Sequence, residues 1–82
     1  MSSIAITPDE IADLKGLNCP MPVLKTKKAL DKIDSGKILQ VDLTDAGSKS
    51  DLPAMIKRTG NELLQMNEEN GVYTFFIRKK QA

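Results

Sequence analysis

The chain has one cysteine, Cys19, and prolines follow it at the next and third positions, in the run Gly16-Leu17-Asn18-Cys19-Pro20-Met21-Pro22-Val23. A thiol acts as a nucleophile only as its thiolate, so its chemistry depends on what stabilises negative charge beside it. The spacing supplies one such device, the start of a helix. The first N–H groups of a helix lack intrahelical partners, and that end carries about half a positive charge. Proline suits the first turn, where its missing donor costs nothing and its fixed φ is already helical. With Cys19 as N-cap, Pro20 is N1, Met21 is N2 and Pro22 is N3. Only Met21 of these three keeps an N–H to aim back at the sulfur. An exposed, nucleophilic thiolate is the chemistry this arrangement suggests. The plain alternative is a buried cysteine acting as a small hydrophobe.

The rest of the composition narrows that chemistry. The chain contains no histidine and no tryptophan. A Cys-His pair is therefore impossible and zinc has no plausible ligand set, so neither a metal nor a cofactor is expected. Activation of Cys19 falls to the helix end and nearby cations. A single cysteine forms no internal disulfide, which fits a reducing cytoplasm. Any oxidised or sulfur-loaded state must then be resolved by another molecule.

Twelve basic residues against eleven acidic ones give a net charge of +1, which is no footprint for stable nucleic-acid binding. Hydrophobic residues at 40% and charged ones at 28% match an ordinary soluble domain. No apolar run reaches membrane-spanning length. Met1-Ser2-Ser3-Ile4-Ala5-Ile6 lacks the basic region and apolar core of a signal peptide, so a cytoplasmic location is expected. The 82 residues read as one domain, 1–82, with 1–8 a flexible lead-in. A chain of this size buries only about 60–65% of its unfolded surface, too little to enclose a deep active site. A stand-alone enzyme is therefore not the expectation.

The elements that must position Cys19 follow from periodicity. Residues 10–15 form a weak strand candidate, broken by Gly16. A helix runs from Pro20 to about Ile33, with Val23, Thr26, Leu30 and Ile33 on a core-facing stripe and Lys25, Lys28 and Lys32 opposite, Lys27 at the flank. Asp34-Ser35-Gly36 ends it, with Gly36 at C′. Residues 37–44 alternate as a half-buried strand with Leu39, Val41 and Leu43 inward. A loop over 45–48 leads to a second helix, about Asp51 to Thr59, with Ser50 as N-cap, Pro53 in its first turn, Leu52, Met55 and Ile56 inward, and Gly60 as its stop. Strands at 61–67 and 72–79 flank Asn70-Gly71, a strong hairpin signal. The order β-α-β-α-β-β predicts an α+β two-layer sandwich, a mixed four-stranded sheet with two helices on one face. Cys19 then lies in the loop between the first strand and the first helix, at a sheet edge where sites usually form.

The run from Leu14 to Val23 resembles the Cys-Pro-x-Pro signature of the TusA (SirA-like) sulfur-carrier family. Lys27-Lys28-Ala29-Leu30 is similar to that family's basic pair on the first helix, and Asp45 to its aspartate after the second strand. Asp51-Leu52-Pro53, Gly60-Asn61-Glu62-Leu63-Leu64 and Phe76-Ile77-Arg78-Lys79 continue the likeness, which spans about Asp13 to Lys79. Three positions depart from it. Ala46 stands where many members carry proline, Asn61 where histidine is frequent, and Lys27 where arginine is usual.

The resemblance implies the same sandwich fold and a carrier that holds sulfane sulfur as a persulfide on Cys19. It implies donors of the cysteine desulfurase or rhodanese type and an acceptor protein in a sulfur relay. Such relays serve tRNA thiolation, sulfur-compound oxidation, molybdenum-cofactor assembly or thiosulfate uptake beside a membrane transporter. A monomer suits a carrier that must expose its motif.

Several residues then take roles. Gly16, Pro20 and Pro22 hold the loop-to-helix entry rigid, a role that overlaps with plain helix initiation. Met21 is an apolar contact beside the thiol or a core filler. Lys27 and Lys28 steer an acidic partner or form a solvated helix face. Asp45 and Asp51 line the surface near Cys19 or serve as loop and cap residues. A thiol redox sensor and an inert binding module remain as competing readings.

Overall fold

Alternation builds the middle of the sheet. In the computed structural model, which describes residues 7–80, Leu39, Val41 and Leu43 are buried and Ile38, Gln40 and Asp42 half-buried. The first six residues of the expected lead-in lie outside the described residues. In chain order the elements are β1 (Glu10–Leu14), α1 (Met21–Lys32), β2 (Ile38–Leu43), α2 (Ala46–Arg58), β3 (Glu62–Glu69) and β4 (Val72–Arg78). This is the β-α-β-α-β-β order expected.

The sheet runs β1-β2-β4-β3. β1 pairs with β2 in parallel, from Glu10 against Leu39 to Leu14 against Leu43. β4 lies antiparallel to both β2 and β3. The mixed sheet therefore sets the parallel β2 and β3 on either side of β4. At the hairpin, Asn70 and Gly71 take φ of 54° and 80°, the left-handed pair a two-residue turn with matching strand twist requires.

One sheet face carries the core. Leu14, Leu39, Val41, Leu43, Phe75 and Ile77 meet Leu30 of α1 and Leu52, Met55 and Ile56 of α2. Both helices thus cover the same face, leaving Gln40, Asp42 and Thr74 on the other, joined through the Asp42 carboxylate. Truncating a fully buried leucine such as Leu52 to alanine costs about 2–5 kcal/mol.

Three helix boundaries differ from the sequence reading, and β3 runs to Glu69, two residues past the expected end at 67. α2 begins at Ala46 with Asp45 as its N-cap, not at Asp51 with Ser50. The Asp45 side chain accepts the Ser48 N–H, so the expected loop over 45–48 is the first turn of the helix. Pro53 then sits inside the helix rather than in its first turn. α1 ends with Ile33 in an extended conformation, and Gly36 (φ 83°) is a turn residue between Asp34 and Lys37 rather than the C′ residue. Gly60 (φ 84°) does stop α2: its N–H bonds the Lys57 carbonyl and the Asn61 N–H bonds that of Ile56. The third boundary, the start of α1, bears on the thiol.

The register places both β1 and β2 with their C-terminal ends at the same edge. The loops leaving Leu14 and Leu43 carry Cys19 and Asp45, so the topology brings these two residues together across 26 positions of sequence.

Candidate functional site

A tight turn leads into the site. Gly16 has φ of 85°, a conformation a side chain would strain, and its N–H bonds the Thr44 hydroxyl at 3.0 Å. The Leu17 N–H closes the turn onto the Leu14 carbonyl at 3.3 Å. Cys19 follows with its thiol exposed, and the Cys19–Pro20 peptide bond is cis.

The N-cap of α1 is Pro20, not Cys19. The Met21 N–H donates to the Asn18 carbonyl at 2.9 Å and is not aimed at the sulfur. The helix begins when the Leu24 N–H reaches the Pro20 carbonyl at 3.1 Å. No side chain caps this start. Pro22 is buried and anchors the motif to the core, while Pro20 is exposed. Met21 is 41% exposed and Leu24 48%, which places Met21 at the surface and not in the core.

Asp45 holds the thiol's backbone. Its Oδ2 accepts the Ser48 N–H at 2.8 Å, the Ser48 hydroxyl at 2.9 Å and the Cys19 N–H at 3.2 Å. The Ser48 donors, with Cys19 adding to them, hold the Asp45 carboxyl below its ordinary value of 3.8. Gly47 allows the close approach of the two helix starts. A Cβ there would lie 3.3 Å from Asp45 Oδ2 and 3.8 Å from Cys19 Cβ. Asp51 Oδ2 stands 3.9 Å from Sγ, in reach of the thiol hydrogen.

Two grooves flank Cys19 along α1. One of about 290 Å³ runs between the helices, lined by Cys19, Pro20 and Val23 on one side and Asp51, Ala54, Met55 and Arg58 on the other. The second, about 340 Å³, is lined by Met21, Leu24, Lys25, Lys27, Lys28 and Asp31. Lys27 and Lys28 therefore share a groove with exposed apolar side chains but do not line the one that holds the thiol. The cation there is Arg58. A larger groove, about 450 Å³, belongs to the other end of the sheet, among Gly60, Glu62, Arg78, Lys79 and Lys80.

The structure brings Gly16, Cys19, Pro20, Met21, Pro22 and Asp45 into one region and places the two lysines in the neighbouring groove. Gly47, Ser48 and Arg58 are not singled out by the sequence reading, and of the two roles open to Asp51 the structure places it beside the thiol, inside α2. The Asp45-x-x-Ser48 spacing carried the signal for the first two, since an N-cap carboxylate bonds the N–H three residues on. Asp51, Met55 and Arg58 are spaced four and three apart, which puts them on one stripe of α2. Which helix that stripe faces is set by tertiary packing.

Chemically, the site is a solvent-exposed thiol on a shallow surface, beside a carboxylate that accepts its hydrogen bond. Among the described residues no group of three or more metal-ligating side chains is assembled. No helix among them is long and apolar enough to cross a membrane.

The model of the sulfurtransferase TusA family matches residues 10–79. The sulfur carrier protein TusA of Allochromatium vinosum is 48% identical over 71 residues, covering 87% of this chain and 93% of that protein. The TusA of Pseudomonas putida strain W619 is 43% identical over 74 residues, covering 90% and 92%. Among solved structures, the SirA-like protein of Desulfitobacterium hafniense superposes with a TM-score of 0.70 at 29% identity, over 88% of this chain and 99% of that one.

Proposed function

The chain belongs to the TusA sulfurtransferase family, whose named members are sulfur carriers, and on that premise we propose that it takes up sulfane sulfur as a persulfide on Cys19 and hands it to a partner protein. The observation that carries this reading is the exposed thiol just ahead of a helix start that no side chain caps. A partner's active site can close over such a surface, and the partner then supplies the enclosure an 82-residue chain lacks.

The Cys19 thiolate attacks the outer sulfur of a donor persulfide. The donor's S–S bond breaks, its inner sulfur leaves as a thiolate, and Cys19–S–SH forms. In the second step an acceptor thiolate attacks the outer sulfur of Cys19–S–SH, and the Cys19 thiolate leaves. Oxidation state is conserved at each step, so no external oxidant or reductant is needed. The thiol proton leaves to solvent or to a base in the partner's active site before the first attack. The absence of a second cysteine protects the loaded state, since a neighbouring thiol would discharge it.

Gly16 and Pro22 fix the entry, Asp45 clamps the Cys19 amide, and Pro20 stiffens the exposed turn. Met21 and Leu24 offer an apolar contact ringed by Lys25, Lys27 and Lys28, which suits an acidic docking surface. Donors of the cysteine desulfurase or rhodanese type and a relay acceptor are the partners of this scheme, with the carrier acting as a monomer in the cytoplasm.

Intact-protein mass spectrometry tests it, after incubation with a cysteine desulfurase plus cysteine and separately with a rhodanese plus thiosulfate. The expected result is one added sulfur atom, removed by reductant and absent in Cys19→Ser. No adduct from either donor, with the thiol still open to alkylation, favours a redox sensor or binding module instead.

A further inference from the structure

The groove between the helices is electrically polar along its length. Asp51 stands at the sulfur end, with Oδ2 3.9 Å from Sγ. Arg58 lines the far end, seven residues along the same helix. At 1.5 Å per residue that is about 10 Å from Asp51. Val23 and Ala54 line the stretch between, and Met55 forms an almost fully buried floor. Arg58 is exposed and takes part in no ion pair or side-chain hydrogen bond among the described residues. By contrast, Arg78 is already engaged with Glu62 and Lys49 with Glu68.

A guanidinium presents a planar fork of donors that matches a carboxylate. The groove therefore suits an occupant with its sulfur at Cys19, N–H or cationic groups beside Asp51, and a carboxylate about 10 Å away. A peptide in the polyproline-II conformation advances about 3.1 Å per residue and returns to the same face every third residue, so that carboxylate belongs to the third residue from a cysteine. A carboxylate on the adjacent residue falls short of Arg58. Nucleic acid fits poorly, because its phosphates would face Asp51 as well as Arg58.

We infer that Arg58 is a specificity residue that recognises a cysteine-bearing loop of the sulfur-exchanging partner through an Asp or Glu three residues from that cysteine. The inference deepens the carrier reading and takes its biological meaning from it. The test, however, needs no sulfane sulfur.

Short peptides whose cysteine is activated as a mixed disulfide with 2-nitro-5-thiobenzoate are mixed with the protein at low salt. The Cys19 thiolate attacks the peptide sulfur, forms the Cys19–S–S–peptide bond and expels the coloured thiobenzoate thiolate, whose release gives the rate. Peptides carry Glu, Gln or Lys three residues before or after the cysteine, or Glu adjacent to it. The expected result is exchange about three- to five-fold faster with Glu than with Lys at the third position in one orientation, and a smaller gap with adjacent Glu. R58Q erases the preference and R58E reverses it. The K27E/K28E double variant keeps it, because those lysines lie in the other groove. Equal rates for all peptides overturn the inference, as does a preference that survives R58Q but vanishes in K27E/K28E. Circular dichroism confirms that each variant is folded. A protein that loads sulfur normally yet shows no peptide preference refutes Arg58 recognition alone. One that shows the preference but never loads refutes the carrier reading alone.

Discussion

The two helices of this small sandwich start in opposite ways, a few ångströms apart. α2 starts sealed: Asp45 occupies the N-cap and its Oδ2 takes both the amide and the hydroxyl of Ser48. α1 starts open: Pro20 is the N-cap, no side chain caps it, and an exposed thiol precedes it. The difference separates structure from chemistry. A sealed start turns a first-turn donor inward to its own cap and offers less to a ligand. An open start followed by prolines has fewer donors to satisfy, so it stays rigid without a cap and leaves its surface for a partner. Asp45 joins the two, because the oxygen that seals α2 also receives the Cys19 amide. The thiol is thereby positioned by the neighbouring helix and not by its own.

Breaking the open start has the largest expected effect. Cys19→Ser abolishes sulfur loading, read by intact mass, and leaves the thermal midpoint nearly unchanged, since an exposed side chain contributes within about 0.5 kcal/mol. Reversing the lysines beside that start comes next. K27E/K28E slows loading from an acidic donor about ten-fold at low ionic strength, and the gap closes as salt is added. Both side chains are exposed, so the melting temperature serves as the control.

Breaking the sealed start has a smaller effect, and one of a different kind. Asp45→Ala removes the cap of α2 and lowers the thermal midpoint by roughly 5 °C. Its pH dependence has a definite sign. The Asp45 carboxyl is held below 3.8 by the Ser48 donors, so its contribution is fully present above that value. That contribution is lost as pH falls through 3.8 and into the lower folded value. Urea titrations across this range should show a steeper acid loss for the wild-type protein than for Asp45→Asn. A flat wild-type profile would contradict the cap.

The smallest effect sharpens the contact between the two starts. Gly47→Ala gains helix propensity but puts a Cβ 3.3 Å from Asp45 Oδ2, so the carboxylate must shift by a few tenths of an ångström. The expected outcome is little change in melting and an alkylation rate of Cys19 altered by about two-fold, since Asp45 holds the Cys19 amide. An unaltered rate would show that the clamp does not tune the thiol's presentation.

Much of this was legible in the sequence where a local rule and the tertiary outcome agree. The 37–44 alternation, the Asn70-Gly71 hairpin and the Gly60 stop each rest on backbone physics within a few residues, and each appears as expected. The sealed start was misplaced because two capping signals compete. Ser50 precedes an obvious apolar stripe, whereas Asp45 precedes Ala46 and Gly47, a weak helical opening that the Ser48 donors rescue. Pro53 strengthened the error, since proline favours a first turn and here sits inside the helix. The cysteine and its motif are legible locally, whereas Arg58 is not. The lysines follow Cys19 in sequence and turn to another face, while Asp51 and Arg58 are distant in sequence and meet it through helix packing. Side chains brought together by long-range topology leave no local periodicity to read.

The central claim is that the open start holds transferable sulfane sulfur. Protein loaded by a donor and freed of small molecules is treated with cyanide, which takes the outer sulfur of a persulfide as thiocyanate and returns the thiol. The account predicts one thiocyanate per chain, none from Cys19→Ser, and full recovery of an alkylatable Cys19. A modified Cys19 that yields no thiocyanate would be a sulfenate or a mixed disulfide, and would contradict the carrier account.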